Sequence, residues 1–273
     1  MRTFPIGKTI KYMLLIFFSL LFLAPVYVII VTSLKPLDEV SLAEMWTLPT
    51  SIDFSSYIQA FSKLSPNLLN SFYLVIPATL LSALFGAMNG YVLSKWRFKG
   101  SETLFTIILF GMFIPYQSIL IPMIQFLRQI ELYNTIPGLI LVHVVYGLPI
   151  TTLMFRNFYA NIPDQMIEAA KIDGANFLGV FRHIILPLSI TGFVVVAIWQ
   201  FTNIWNEFLF AVTVTTSGQQ PVMVALQNLS GSQIVEWNVQ MAGALIAALP
   251  TLLVYIFLGK YFVRGLLAGS VKG

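Results

Sequence analysis

Five residues in one short stretch have the chemistry to hold a polyhydroxylated solute: Trp199, Gln200, Asn203, Asn206 and Glu207. At about 100° per residue on a helix they fall within a sector of roughly 120°. Phe201, Ile204, Trp205, Phe208 and Leu209 take the remaining face. Amides and a carboxylate pair with hydroxyl groups, and the C–H face of a sugar stacks on an indole. The same residues equally suit contacts between helices or with a second subunit, so both readings stay open here. Upstream, Pro115-Tyr116-Gln117 and then Pro122 interrupt another apolar run. Prolines break helices, and polar groups beside the break can line a cavity, which adds Tyr116 and Gln117 to the candidates. His143 and Tyr146 are read as packed.

The elements that must carry these residues are membrane spans. The chain has 273 residues, 58% hydrophobic and 10% charged, too little charge to cover a water-facing surface of this size. A span needs roughly 20 mainly apolar residues. Six segments qualify, at about 12–33, 69–94, 103–127, 136–157, 185–212 and 240–262. The expected fold is therefore an all-α integral membrane protein, a single domain of six transmembrane helices. The first run is longer than a signal-peptide core, lacks a small-residue cleavage site and is read as retained. An even number of spans puts both termini on one side. That side then holds all the Lys and Arg except Lys35, Lys63 and Arg128, or twelve of 15. The excess places both termini in the cytoplasm. Within these spans Glu207 is the only acid, so a function or a pairing is expected of it. Ser82, Gly86 and Gly90 repeat every four residues, the pattern of a close helix contact.

The cytoplasmic loop at 158–184 differs from the others. Asn161-Ile162-Pro163-Asp164 reads as a helix start and Asp173-Gly174 as its stop. A second short helix, from Asn176 to Ile185, ends at Pro187. Met166, Ala169, Ala170 and Asp173 share one face, which places small residues outward. Spacing alone leaves two readings: an element for a partner's groove, or a connector lying on lipid headgroups. The long stretches Leu34–Leu68 and Thr213–Val239 read as loops.

Glu168-Ala169-Ala170-Lys171-Ile172-Asp173-Gly174-Ala175, followed by Ile184-Ile185-Leu186-Pro187, resembles the EAA loop of ABC importer permeases at every position of that pattern. Asn203-Ile204-Trp205-Asn206-Glu207-Phe208 is similar to a segment of carbohydrate importer permeases. The last ten residues, from Arg264, resemble the end of MalG-like subunits. Most of the chain is covered by this resemblance to the MalG-like permeases of carbohydrate-uptake ABC transporters. It implies a MetI-like fold in a prokaryotic cell membrane. It also implies a second, MalF-like permease, two cytoplasmic ATPase subunits and an external solute-binding protein. Glu168, Ala169, Ala170, Asp173, Gly174, Leu186 and Pro187 would form the ATPase-coupling surface, with Glu168 as anchoring charge. The tail would reach the ATPase interface. Ser217 to Pro221 and Asn228 to Ser232, before the last span, would touch the binding protein or be plain solvated loop.

The residues also limit the alternatives. Gly7-Lys8-Thr9 ends like a phosphate-binding loop, but Arg2 stands at the first glycine position and no strand precedes it. ATP and Mg are thus expected on a partner ATPase, and this chain is expected to bind no cofactor and to have no catalytic activity of its own. With no Cys and two separated His, no metal-ligand spacing is present. Nothing points to nucleic acid. An ion-coupled secondary transporter remains the competing reading, poorly supplied because it would have one intramembrane carboxylate and no evident internal repeat.

Overall fold

The computed structural model describes residues 6–96, 98–229, 231 and 235–270, with side chains for the same set except Ile6 and 262–270. The described residues form helices, with no strand among them. Four helices are long and apolar enough to cross a bilayer: α1 (Ile6–Ser33), α2 (Ser55–Lys95), α5 (Ile136–Ala160) and α12 (Trp237–Ser270). Two bent pairs complete the set, Ser101–Phe113 with Tyr116–Gln129 at 91°, and Phe177–Leu188 with Ile190–Asn206 at 76°. Counting each pair as one span gives six.

The bend at Ser189 corrects the expectation of an uninterrupted span at 185–212, whereas the break within 103–127 falls where Pro115 and Pro122 interrupt the apolar run in the sequence. In the first pair, α3 (Ser101–Phe110) runs into a short tight turn, and Ile114 and Pro115 are extended before Tyr116–Ile119 winds as a 3₁₀ turn. A residue before proline is pushed out of the helical region, so Pro115 sets the break. Pro122 lies in the first turn of α4 (Leu120–Gln129), where a missing N–H is tolerated. The second pair bends at Ser189, and the helix α9 (Ile190–Asn206) ends six residues short of the expected boundary. Two expected loops are also partly helical. α2 begins at Ser55, and at about 1.5 Å per residue its 41 residues exceed a bilayer's apolar thickness. α11 (Val222–Leu229) lies within the stretch expected as a loop before the last span.

The chain forms two compact units, whose borders within α2 and α12 fall at Pro66 and Pro250. A proline inside a helix removes one rung of the hydrogen-bond ladder. The first unit holds the described residues through Ser65 together with Ala225–Leu249. Its packing centre is Ala60, Val239 and Ala242, with Tyr57 and Ile246 against them. Lys35 is fully buried there, its ammonium donating to Glu44 O at 2.6 Å and Thr47 Oγ1 at 3.0 Å. That contact pins the segment after α1 without a carboxylate.

The second unit holds Pro66–Val224 and the described residues from Pro250. α2 and α5 approach through the expected small residues. A Cβ on Gly86 would stand 2.3 Å from Thr151 Oγ1, and one on Gly90 2.8 Å from the Arg156 nitrogen. Tyr91, Phe155, Tyr159, Phe181 and Ile185 form the buried cluster beyond this seam. α5 also packs on α9, and these two helices frame the candidate site.

Candidate functional site

α9 ends where the polar sector is densest. Asn206 is its last residue and Glu207 is extended, with φ −71° and ψ 128°. The chain re-enters a helix at α10 (Leu209–Val214), whose first backbone N–H groups lack helical partners. Glu207 supplies them: Oε1 accepts from Phe210 N at 2.7 Å and Oε2 from Ala211 N at 3.2 Å. The acid expected to have a function or a pairing thus has a structural pairing.

The break opens a cavity of about 440 Å³. From α9 and the residue that follows it the lining includes Trp199, Gln200, Asn203, Asn206 and Glu207, the sector expected from spacing, joined by Thr202 and by Ile204, which spacing put on the remaining face. Asn203 and Asn206 are exposed, each donating one amide hydrogen back to the carbonyl four residues earlier, at 2.8 Å. Trp199 is half-buried. Trp205 points away, buried between Phe201, stacked at 5.6 Å, and Phe72 at 5.1 Å. Gln200 lines the cavity but is 2% exposed. Its Nε2 lies against Gly147, where an added Cβ would come within 2.0 Å.

Tyr116 joins the wall, and its ring meets Phe210 at 5.4 Å and Tyr146 at 6.5 Å. Gln117 is not among the lining residues, which corrects the expectation that it shares Tyr116's role. In this 3₁₀ turn successive side chains diverge by about 120°, which takes Gln117 away from the wall that Tyr116 joins. His143 and Tyr146, read from sequence as packed, also reach this wall. His143 is 6% exposed, and its Nε2 stands 3.8 Å from Glu207 Oε2 without a hydrogen-bond partner. No single-helix pattern could have found it, because the pair joins residues 64 apart in sequence.

The stretch with the EAA pattern forms a helix, α6 (Asp164–Ile172), a turn, and a second helical segment. Pro163 precedes the first turn and Asp164 sits within it. The stop is a Schellman turn: Gly174 N donates to Lys171 O at 3.1 Å, and Ala175 N to Ala170 O at 2.9 Å. Gly174 has φ +85° with nothing within 4 Å of an added Cβ. Backbone conformation, and no crowding inside this chain, demands glycine there. Asn176 caps α7 (Phe177–Val180), accepting from Gly179 N at 2.8 Å. A π-turn (Phe181–Ile185) and α8 (Leu186–Leu188) lead to the bend before α9.

One face of this element is corrected. Ala170 is buried beside Ile167 in the core cluster, so it faces inward, unlike Met166, Ala169 and Asp173. Outward stand Glu168, Ala169, Met166 and Ile172, the last 86% exposed, with Leu178 from α7. Leu186 and Pro187 are exposed on α8. The element is moored to α2: Lys95 Nζ donates to Ile162 O and to Asp164 Oδ1, each at 2.6 Å. Lys171 lies over the Trp96 ring at 4.1 Å.

The turn after α10 is pinned. Asn134 Oδ1 accepts from Thr216 N at 2.7 Å, Asn70 donates to Gly218 O at 3.0 Å, and Asn67 donates to Gln220 O at 2.7 Å. Ser230 and Ser232 lie outside the described residues. So do Val271, Lys272 and Gly273, and of the tail from Arg264 to Ser270 only the helical backbone is described.

Residues 82–267 match the model of a family described as "binding-protein-dependent transport system inner membrane component". A probable ABC transporter permease protein of Pyrococcus horikoshii is 46% identical, covering all of both chains. The xylose/arabinose import permease protein of Haloferax volcanii is 35% identical over 95% of this chain and 92% of its own. A chain of a bacterial ABC transporter involved in importing the acidic polysaccharide alginate has the same fold. Its TM-score is 0.82 at 22% identity, over 96% of this chain and 100% of that one. The chain therefore belongs to the family of binding-protein-dependent transport system inner membrane components, as a MalG-like, multi-pass ABC transporter permease.

Proposed function

We propose that this chain is one of two permease subunits of an ATP-driven importer for a sugar or sugar-like solute. The observation that carries this reading is the direct succession of the exposed helix-turn element and the helix that lines the cavity. The element ends at Leu188, and Ser189 alone separates it from the start of α9 at Ile190. A push on Ile172, Leu178 or Glu168 is delivered through packed helix to Trp199, Asn203 and Asn206. Packed helices transmit such a push because interiors are close-packed.

In this reading the ATPases hold ATP and Mg and do the hydrolysis. Each permease receives one ATPase through its EAA element, with both termini in the cytoplasm. Glu168, Ala169, Asp173 and Gly174 form the contact surface, with Leu186 and Pro187 at its membrane end. Ala170 holds the element to its own core. A MalF-like partner completes the path, and an external binding protein delivers the solute, as the family's description implies. The cavity supplies what a sugar needs: amide groups for hydroxyls and aromatic faces for ring C–H groups. Relatives named for xylose/arabinose import support that solute class.

The test is solute-stimulated ATPase activity of the purified complex with its binding protein, over a panel of sugars, amino acids and peptides. Stimulation by a carbohydrate is expected. Stimulation by an amino acid or peptide alone would overturn the solute class.

A further inference from the structure

The charges around the cavity say more about the solute than its polarity does. Among the described residues lining it, Glu207 is the one Asp, Glu, Lys or Arg. Its two oxygens each accept a backbone N–H, the role of an ionised carboxylate. Among the described residues no side-chain cation is hydrogen-bonded to it. His143 approaches to 3.8 Å, beyond hydrogen-bond reach, and is itself buried. A low-dielectric wall with one sign of charge focuses the field into the space it encloses.

We infer that the cavity admits uncharged polyhydroxylated solutes and excludes acidic ones, such as uronates and sugar phosphates, with Glu207 as the selecting residue. This rests on the permease reading and sharpens its solute class. Glu207 then has two tasks: it caps α10, and it sets the sign of the field. The cap needs only acceptor oxygens, whereas exclusion needs the charge, so Glu207→Gln separates them in part. Asn203, exposed one helical turn away, offers a second handle that leaves the cap untouched.

The chain has no cysteine, so a thiol introduced as Asn203→Cys is unique within it. In the intact complex, its modification by cationic, neutral and anionic methanethiosulfonates is followed by mass spectrometry of this subunit. The anionic reagent is expected to be slower than the neutral one by roughly tenfold, and the cationic one faster. Adding Glu207→Gln should remove most of that difference. In the charge series Asn203→Asp, wild type and Asn203→Lys, the ratio of acidic to neutral sugar protecting an Asn206→Cys thiol should rise in that order. Equal anionic and neutral rates, or a ratio unmoved by Glu207→Gln, would overturn the inference and leave the permease reading standing. Failure of any sugar both to protect the thiol and to stimulate ATPase activity would overturn the reading itself, and this inference with it.

Discussion

The cavity at the end of α9 and the exposed helix-turn element at Asp164–Leu188 are built on opposite logic. The cavity exists because a helix fails: α9 stops at Asn206, Glu207 is extended, and a new helix starts under its carboxylate. Its walls come from α5, α9, α10 and the 3₁₀ turn at Tyr116–Ile119. The helix-turn element is a contiguous piece of chain whose geometry is fixed locally, by a Schellman turn at Gly174 and an Asn176 cap. One presents polar groups inward and the other presents apolar groups outward. A site for a small solute must be enclosed, whereas a surface for a protein partner must protrude.

The largest expected effect comes from breaking the frame that both regions share. Gly90→Leu drives its side chain into the backbone of Arg156 and the side chain of Phe155. Overpacking of this kind costs roughly 1–3 kcal/mol, more where backbone must move. Size-exclusion yield of the assembled complex should fall severalfold. Gly259→Leu, with nothing within 4 Å of an added Cβ, should leave that yield unchanged.

The next test separates the two regions. Ile172→Asp changes a side chain that is 86% exposed, so subunit stability should shift by no more than about 0.5 kcal/mol. Uptake should nevertheless drop by an order of magnitude or more, because a charge would stand on the surface proposed to receive the ATPase. Trp199→Ala sharpens the other side. It should raise the solute concentration for half-maximal uptake by roughly tenfold, in line with one lost stacking contact of about 1–1.5 kcal/mol, and leave ATPase binding unchanged.

The smallest effect lies outside both. Thr50 donates its hydroxyl and its backbone N–H to the Glu39 carboxylate, which holds that exposed acid below the ordinary carboxylate value. A depressed folded-state value means the contact contributes fully above the unfolded pKa and is lost as pH falls through the folded one. Thr50→Val removes the larger contribution, so loosening of the 37–53 segment should begin at higher pH. Hydrogen exchange corrected for its intrinsic pH dependence reads this shift.

How much was legible in the sequence follows the same division. The helix-turn element lies in one stretch, so its start at Pro163-Asp164 and its stop at Gly174 could be read directly. Its inward face could not, because Ala169 and Ala170 differ only in which neighbour covers them. Four residues of the cavity were legible because they share α9 and its period, and Glu207 because it directly follows them. His143 and Tyr146 were not, since they arrive from α5 and meet the others only after packing. Gln117 was not separable from Tyr116, because both neighbour the proline break and only the local turn decides which of the two faces the cavity. The six apolar segments were legible from hydropathy. The prolines marked the break at Pro115, but the bend at Ser189 and the reach of α2 back to Ser55 depend on local backbone geometry that hydropathy does not encode.

The central claim is that motion enters at the helix-turn element and is felt at the cavity. Gly174→Val tests it most directly, because φ +85° is strained for a β-branched residue and no neighbour in this chain is displaced. The complex carrying it is assembled in proteoliposomes with its binding protein and solute, and ATPase activity and uptake are measured together. Normal insertion is expected, with solute-stimulated hydrolysis and uptake both lost or uncoupled. Full solute-stimulated ATPase activity with undiminished uptake would contradict it.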